Sequence, residues 1–211
     1  MKNPRIIGFC GGAAAGKTEI VNIIHECLDN ISICIPQDNY YLSDETLSFS
    51  EREKINFDAP SAFDVNLLAS HLKILKKQNE IDMPQYSYIE HLRLTETLKI
   101  KSNRIILLDG LYLFHFHALR ELIDIKIFVD TSENVRLDRM IKRNERERNE
   151  NANNTTNRFY LHVKPMHDLY IEAQKKYANL IVDNNKSLNE AKEKIMYYLK
   201  DKFKDIYTPF L

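Results

Sequence analysis

Short apolar runs, separated by stretches with helical spacing, dominate the pattern of this chain. After the first run, Ile20, Ile23 and Cys27 recur every three or four residues, which is typical of an amphipathic helix. A later run holds four consecutive large aliphatic residues, as expected for a central strand covered on both faces. The five runs are residues 5–10, 31–35, 104–110, 124–130 and 177–183. The alternation predicts an α/β protein with a doubly wound, five-stranded parallel sheet.

Other segments depart from this simple alternation. Asp64 is a candidate N-cap for a helix whose apolar face includes Leu68 and Leu72. Partial alternation over residues 81–101 predicts a β-hairpin excursion. The asparagine-rich stretch 149–157 predicts a mobile segment, or part of a lid over about residues 143–160. A basic helix is predicted to follow its cap at Ser132, and further helices are predicted over residues 158–176 and 187–203. Residues 1–211 are predicted to form a single domain.

The composition of the 211 residues suits one globular α/β domain, with 44% hydrophobic and 28% charged residues. Lys and Arg (30) balance Asp and Glu (30), which argues against bulk binding to nucleic acid or an anionic membrane; a local basic cleft stays open. No signal-peptide or membrane-spanning run is expected. Cys10, Cys27 and Cys34 lack a C-x-x-C spacing, so we expect buried thiols in a reducing compartment, most simply the cytoplasm.

A phosphate-binding loop is predicted between the first strand and the first helix. The segment matches G-x-x-x-x-G-K-[ST] and consists of Gly11, Gly12, Ala13, Ala14, Ala15, Gly16, Lys17 and Thr18. Backbone N–H groups and the helix N-terminus would surround an anion. Lys17 would neutralise the β- and γ-phosphates, and the Thr18 hydroxyl would ligate Mg²⁺. The alternative is an ordinary turn, but four of the five glycines of the chain lie at this loop or just before it.

Two carboxylates follow predicted strands. Asp38 comes shortly after the second strand, at the edge of the sheet where ligands bind in α/β proteins. It is a candidate base towards a substrate hydroxyl or a water-mediated Mg²⁺ contact, and the alternative is an Asx-turn. Asp109 ends the most apolar strand and suits a Walker-B-like Mg²⁺ site, although an Asp-Gly pair is also a common turn.

Several clusters have both a functional and a structural interpretation. Arginines of the basic helix could clamp a phosphoryl group, but most of its six basic residues are expected to form a solvated, ion-paired face. Aromatic residues near Asp58 and His91 could frame a ring and a sugar, or could be satellite core. His115 and His117 lack further residues at metal-ligand spacing, so packing is the first interpretation.

A set of motifs occurs here in the order found in uridine–cytidine kinases. These are residues 11–18, 37–41 (Gln-Asp-Asn-Tyr-Tyr), 56–64 (Asn-Phe-Asp-Ala-Pro-Ser-Ala-Phe-Asp), 84–93 (Pro-x-Tyr-x-Tyr-x-x-His-x-Arg), 109–111 (Asp-Gly-Leu), 127–130, 136–139, 163–165 and 175–178. The chain therefore resembles that family over about residues 5–195. The resemblance implies transfer of the γ-phosphate of ATP, with Mg²⁺, to the 5′-hydroxyl of uridine or cytidine, and commonly a homotetramer.

The resemblance also implies individual roles. Asp38 matches the catalytic base, and Asp58 matches the carboxylate that holds the ribose hydroxyls, for which an acceptor pair is suited. Arg143 and Arg148 match lid arginines near the phosphates. Residues matching those around the nucleoside base are Tyr41, Phe57, Tyr86, Tyr88 and His91, and His91 is expected to recognise the pyrimidine edge.

The chain departs from the family pattern at several positions. Asp109 replaces a Glu, Met140 an Arg, Glu150 an Arg, Arg158 a Gln and Ala59 a His. Losing two positive charges near a phosphoryl group could cost several kcal/mol of transition-state stabilisation unless Arg146 or Arg158 substitutes. The altered lid leaves two alternatives: a P-loop kinase for another small hydroxylated acceptor, such as a different nucleoside, pantothenate or a sugar phosphate, and a weakly catalytic nucleotide-binding regulator.

Overall fold

A five-stranded, all-parallel sheet with the strand order β2-β5-β1-β6-β7 forms the centre of the computed structural model, which describes residues 3–203. The strands of this sheet are β1 (Arg5–Gly11), β2 (Ser32–Pro36), β5 (Ile105–Gly110), β6 (Ile125–Asp130) and β7 (Leu180–Asp183). A separate antiparallel pair consists of β3 (Glu80–Ser87) and β4 (Leu92–Lys101). The predicted fold class is confirmed. The ends of the predicted 1–211 domain lie outside the described residues.

Helices cover both faces of the sheet. The α-helices are α1 (Lys17–Cys27), α2 (Phe49–Arg52), α3 (Val65–Lys76), α4 (His117–Arg120), α5 (Glu133–Arg148), α6 (Ala152–Arg158), α7 (Lys164–Met166) and α8 (Leu188–Lys202). Shorter 3₁₀ or π turns are Asp29–Ile31, Gln37–Tyr40, Pro60–Ala62, Phe159–Val163, His167–Ile171 and Glu172–Tyr177. In the part of the chain from 3 to 203, none of the helices is both long and apolar enough to cross a membrane.

The two faces of the sheet bury separate hydrophobic clusters. Ile6 of β1 points to the face covered by α3 and the hairpin, and the next residue, Ile7, points to the face covered by α1 and α8. This follows from the two-residue period of a strand. Every residue of β5 is buried because this strand lies inside the sheet with both faces covered, which explains its unbroken apolar run.

The strand register brings the predicted chemical groups to one edge. Asp109 of β5 is paired with Phe9 of β1 on one side and with Pro36 of β2 on the other. The segments that follow β1 and β2, namely the phosphate-binding loop and the turn containing Asp38, therefore both leave the sheet beside Asp109. This is the carboxyl edge, where ligands bind in open α/β sheets.

The β3–β4 hairpin occupies the stretch where the pattern changes, and its register shifts between Pro84 and Tyr86. Proline cannot donate a ladder hydrogen bond, so a bulge is expected near it. β3 buries Ile81 and Met83 against the core, while most of β4 is exposed. The hairpin turn carries His91 at a φ of 53° and delivers it to the carboxyl edge of the sheet.

The polar stretch 149–157, predicted to be a mobile segment or part of a lid, contains most of the helix α6, because Asn151 caps α6 by accepting a hydrogen bond from the Asn154 backbone at 2.9 Å and the buried Phe159 anchors the next turn. Two expectations need correction. Cys10 is buried, but Cys27 is exposed and Cys34 half-buried, because Cys27 ends α1 at the surface. Ser132 precedes α5 as predicted, but its side chain makes no capping hydrogen bond.

Candidate active site

The phosphate-binding loop joins the end of β1 to the start of α1. Gly16 adopts a φ of 87°, and a Cβ atom there would lie 2.5 Å from the Asn184 amide nitrogen, so both backbone and space require glycine. The Lys17 ammonium donates a hydrogen bond to the Gly12 carbonyl at 2.9 Å. Burial lowers the pKa of Lys17, and the Asp109 and Asp38 carboxylates oppose this shift. The lysine is therefore held at the loop beside both predicted carboxylates.

Residues that sequence reasoning missed support this loop from behind. The Ala15 carbonyl accepts hydrogen bonds from Asn184 Nδ2 at 2.8 Å, Thr131 Oγ1 at 3.2 Å and Arg139 Nη1 at 3.4 Å. Thr131 and Asn184 directly follow β6 and β7, and Asn184 is 2% exposed. The only feature of the sequence that could have indicated these two residues is their location directly after a strand.

Arg136 is buried behind the loop rather than solvated, which corrects the expectation for this residue. Its Nε donates to the Thr131 carbonyl at 3.2 Å, and its guanidinium lies 5.6 Å from the centre of the Phe159 ring. A Cβ atom on Gly12 would lie 2.9 Å from both Arg136 Cδ and His167 Nδ1. Burial and the Arg136 charge lower the pKa of His167 to about 4. Arg136 and His167 thus pack against the phosphate-binding loop at Gly12.

The Thr18 hydroxyl and the Asp109 carboxylate form a pair of neighbouring oxygen groups at the start of α1. The Thr18 hydroxyl donates to Asp109 Oδ2 at 2.6 Å. Burial raises the pKa of the Asp109 carboxyl, while the Thr18 hydrogen bond and the Lys17 charge lower it. Two hard oxygens at this spacing suit Mg²⁺, which takes few protein ligands and completes its shell with phosphate and water. Within residues 3–203, no cluster of three or more His, Cys, Asp or Glu is arranged to hold a metal. His115, which the sequence pairs with His117, packs against Tyr112 and Tyr170.

Asp38 lies in the 3₁₀ turn Gln37–Tyr40 that directly follows β2. Its Oδ2 atom accepts a hydrogen bond from the Tyr88 hydroxyl at 2.9 Å. This partner comes from the hairpin and not from the local backbone, so the Asx-turn alternative does not describe the contact. Asp38 lines the same cleft as Lys17 and Thr18.

The residues predicted to surround a nucleoside form an aromatic wall along the cleft. Tyr41 packs against Phe57 and Tyr86, with ring centres 5.7 and 5.0 Å apart. Phe57 stacks on His91 at 4.9 Å with an interplanar angle of 11°. Tyr88 contacts the edge of Tyr86 at 5.6 Å, so it extends the wall towards Asp38. Flat rings in offset and edge contacts suit a planar heterocycle.

The surroundings of His91 favour its neutral form. Loss of hydration lowers its pKa; Arg158, Arg148 and Arg52 add to this effect, and Glu53 opposes it. A neutral imidazole has one donor and one acceptor nitrogen. His91 can therefore form complementary hydrogen bonds with either a carbonyl or an amino group on a ring edge.

Asp58 lies between the aromatic wall and the lid. Arg158 Nη2 is 3.5 Å from Asp58 Oδ2, so an arginine of α6 pairs with the carboxylate expected at a ribose diol. The Asp58 backbone is fixed as well, because its N–H donates to Asn56 Oδ1 at 3.1 Å and its carbonyl accepts from the Tyr112 hydroxyl.

The lid arginines lie at the end of α5. Arg143 donates to Asn144 Oδ1 at 3.2 Å through Nη2, and burial, followed by the Arg148 charge, lowers its pKa. The Arg148 guanidinium lies 5.2 Å from the centre of the Tyr88 ring. Glu150 accepts from Asn144 Nδ2 at 2.8 Å, so this acidic departure from the family pattern is tied to the lid itself.

One open cleft of about 1730 Å³ joins these parts. It contains most of the predicted site residues, namely Ala13, Ala14, Gly16, Lys17, Thr18, Asp38, Tyr41, Phe57, Asp58, Tyr86, Tyr88, His91, Asp109, Arg143 and Arg148. Gly11, Gly12 and Ala15 do not line it, because they form the buried back of the loop. Arg139, Met140 and Arg158 also line the cleft.

Comparison with known proteins finds similar sequences over most of the chain. The model of the phosphoribulokinase / uridine kinase family matches residues 6–189. A uridine kinase from Clostridium novyi (strain NT) is 41% identical over 183 residues, which are 86% of this chain and 88% of that protein. A uridine kinase from Staphylococcus aureus (strain JH9) is 38% identical over the same shares of the two chains.

Solved structures share the fold at low sequence identity. Phosphoribulokinase from Rhodobacter spheroides superposes with a TM-score of 0.63 at 15% identity, covering 86% of this chain and 70% of that one. D-glycerate 3-kinase from Cryptococcus neoformans var. grubii superposes with a TM-score of 0.61 at 14% identity, covering 87% of each. With the family model matching nearly the whole described chain, this protein belongs to the phosphoribulokinase / uridine kinase family.

Proposed function

We propose that this protein transfers the γ-phosphoryl group of ATP to the 5′-hydroxyl of uridine or cytidine. The observation that carries the proposal is the cleft, in which Asp38 lies between the phosphate-binding loop and an aromatic wall that contains His91. The curated relatives at 38–41% identity, named uridine kinases, support the same acceptor. No contact within residues 3–203 favours pantothenate, a sugar phosphate or a purely regulatory role.

The donor side is assigned to the loop and α1. Backbone N–H groups of residues 11–18 and the N-terminus of α1 bind the phosphates, and Lys17 neutralises the transferring group. Thr18 and Asp109 would hold Mg²⁺, which supplies charge neutralisation to the β- and γ-phosphates when bound. Asn184, Thr131 and Arg139 keep the loop open by fixing the Ala15 carbonyl.

On the acceptor side, Asp38 takes the proton of the 5′-hydroxyl as that oxygen attacks phosphorus. The base of the nucleoside packs against the wall formed by Tyr41, Phe57 and Tyr86. His91 forms a hydrogen bond with the polar edge of the base. A uracil carbonyl and a cytosine amino group require opposite hydrogen-bond roles, and a neutral histidine supplies either one through its two nitrogens. Asp58 accepts from the vicinal 2′- and 3′-hydroxyls of ribose, which do not occur together on a 2′-deoxyribose.

The positive charges of the lid are arranged differently from those of the family pattern. Arg143 and Arg148 line the cleft, and Arg158 adds a cation that the family pattern does not have at this position. Met140 is buried against Phe159 and Val163, where it packs the base of the lid instead of carrying charge. We propose that Arg158 replaces the cation lost at position 140, and that the enzyme acts in the cytoplasm as a homo-oligomer, such as a tetramer.

A substrate panel tests the proposal. ADP release with Mg-ATP is measured against uridine, cytidine, 5′-deoxyuridine, adenosine, pantothenate and ribulose 5-phosphate. We expect turnover on uridine or cytidine and none on 5′-deoxyuridine, which lacks the accepting hydroxyl. Asp38→Asn should retain ATP binding and keep only a small residual turnover, while Asp29→Asn, at an exposed aspartate in the turn after α1, should match the wild type. Turnover on another acceptor alone would contradict the proposal.

A further inference from the structure

Tyr88 connects the hairpin to the candidate catalytic base. It directly follows β3, and its hydroxyl donates to Asp38 Oδ2 at 2.9 Å although the two residues are 50 positions apart. The bond involves Oδ2, and no hydrogen bond to Oδ1 of Asp38 occurs within residues 3–203, so Oδ1 can take a second partner. Tyr88 thus occupies a position from which it can orient the carboxylate without blocking it.

We propose that Tyr88 is a positioning residue for phosphoryl transfer, holding the Asp38 carboxylate so that its free oxygen faces the acceptor hydroxyl. The inference rests on the proposed function, because it takes Asp38 as the base. A ring that only lined the nucleoside pocket would have no need of its hydroxyl. The hydrogen bond to Asp38 gives that hydroxyl a specific task.

Several contacts fix the tyrosine ring. The Arg148 guanidinium lies 5.2 Å from its centre, and the edge of Tyr86 is 5.6 Å away. The ring is 47% exposed, so these contacts and the hydrogen bond orient it rather than enclosure in a core. Because Arg148 ends α5, Tyr88 also links the lid to the base.

The phenol has the protonation state that this task requires. Loss of hydration and the adjacent Asp38 charge raise the pKa of Tyr88 well above its usual value. The hydroxyl therefore keeps its proton and acts as a donor throughout the reaction. It does not compete with Asp38 for the proton of the substrate.

The reaction step is balanced around the free oxygen of Asp38. The acceptor O–H bond breaks as its oxygen bonds to the γ-phosphorus, and the proton passes to Asp38 Oδ1. The bond between the γ-phosphorus and its bridging oxygen breaks, and its electron pair leaves with ADP. Tyr88 exchanges no proton and forms no covalent bond; it keeps the carboxylate in line.

Removal of the hydroxyl alone tests the inference. In Tyr88→Phe the ring and its contacts with Arg148 and Tyr86 are retained, so we expect Kd values for uridine and ATP within about twofold of the wild type. The single-turnover rate should fall at least about 10-fold, because a misplaced base slows the chemical step. Tyr197→Phe, an exposed tyrosine on α8, should leave rate and binding unchanged.

A second comparison separates positioning from packing. In an Asp38→Ala background, adding Tyr88→Phe should cause no further loss of rate, since the hydroxyl then has no carboxylate to hold. An unchanged rate in Tyr88→Phe, a weaker uridine Kd at constant rate, or equal losses in both backgrounds would overturn the inference.

A failure of the inference about Tyr88 can be distinguished from a failure of the proposed function. If the wild type phosphorylated no pyrimidine nucleoside, the proposed function would fail. The link between Tyr88 and Asp38 would then be measured from the melting temperatures of the wild type, the two single variants and the double variant. Non-additive changes would support the pairing, and additive changes would overturn it.

Discussion

Arg158, the last residue of α6, places its guanidinium 3.5 Å from the carboxylate of Asp58, which precedes it by 100 positions. This contact joins the lid to the acceptor end of the cleft. It also places a cation where the family pattern has an uncharged glutamine. Arg158 thus adds a positive charge to the cleft, on the helix that follows α5.

Replacement of this arginine should weaken catalysis. In Arg158→Gln the pairing with Asp58 and one positive charge of the cleft are lost, so we expect kcat/KM for uridine to fall about 10- to 100-fold. Arg158→Lys keeps the charge and should lose less. Arg104→Gln, at the exposed residue before β5, is the matched control. An Arg158→Gln enzyme with wild-type kcat/KM would show that the charge at this position is not used.

Asn184 should control the shape of the phosphate-binding loop. Its amide is buried and donates to the Ala15 carbonyl at 2.8 Å. In Asn184→Ala this bond is lost, so we expect about 1–2 kcal/mol less stability in urea denaturation. ATP affinity, measured by calorimetry, should fall several-fold because the loop loses a support. Asn153→Ala, at an exposed position of α6, should change neither quantity. Loss of stability with unchanged ATP affinity would contradict a role in shaping the loop.

His167 should make the folded state sensitive to acid. Its pKa is lowered from 6.5 to about 4 by burial and by Arg136, so between these values the unfolded chain binds a proton that the folded chain does not. The stabilisation is therefore complete above about pH 6.5 and is lost as the pH falls through about 4. A difference of one pH unit between the folded and unfolded pKa values corresponds to about 1.4 kcal/mol, so the total contribution is about 3 kcal/mol.

Urea denaturation at pH 7.5 and pH 4.5 measures this contribution. The wild type should lose more stability between the two values than His167→Gln, which has no proton to bind. His117→Gln, at an exposed histidine of α4, should behave as the wild type does. Equal acid sensitivity of the wild type and His167→Gln would show that the buried histidine does not carry the effect.

The sheet and its edge could be predicted because they depend on local patterns. Asp38 follows the apolar strand β2 and Asp109 lies at the end of the apolar strand β5, and parallel strands bring such residues to the same edge. The helix α6 could not be predicted, because its polar asparagines indicate a loop and its anchors are remote. Asn144 contacts Thr155, and Phe159 packs on Met140 and Val163.

Contacts between segments that are distant in the sequence could not be predicted either. The burial of Arg136 depends on Thr131 and Phe159, and the support of Ala15 depends on a residue that follows β7. Neither has a local signal beyond its distance from a strand end. The hydroxyl of Tyr88 is a further case, since the sequence places an aromatic residue at the cleft without indicating that its oxygen contacts Asp38.

The most direct test of the central claim is the identity of the product. The enzyme is incubated with Mg-ATP and uridine, and the phosphorylated product is identified by ³¹P NMR and mass spectrometry while ADP is counted. We expect uridine 5′-monophosphate, formed in equal amount with ADP, and phosphorylation of cytidine at its 5′ position as well. Bound Mg-ATP with no phosphorylated pyrimidine nucleoside, or phosphate at a position other than 5′, would contradict it.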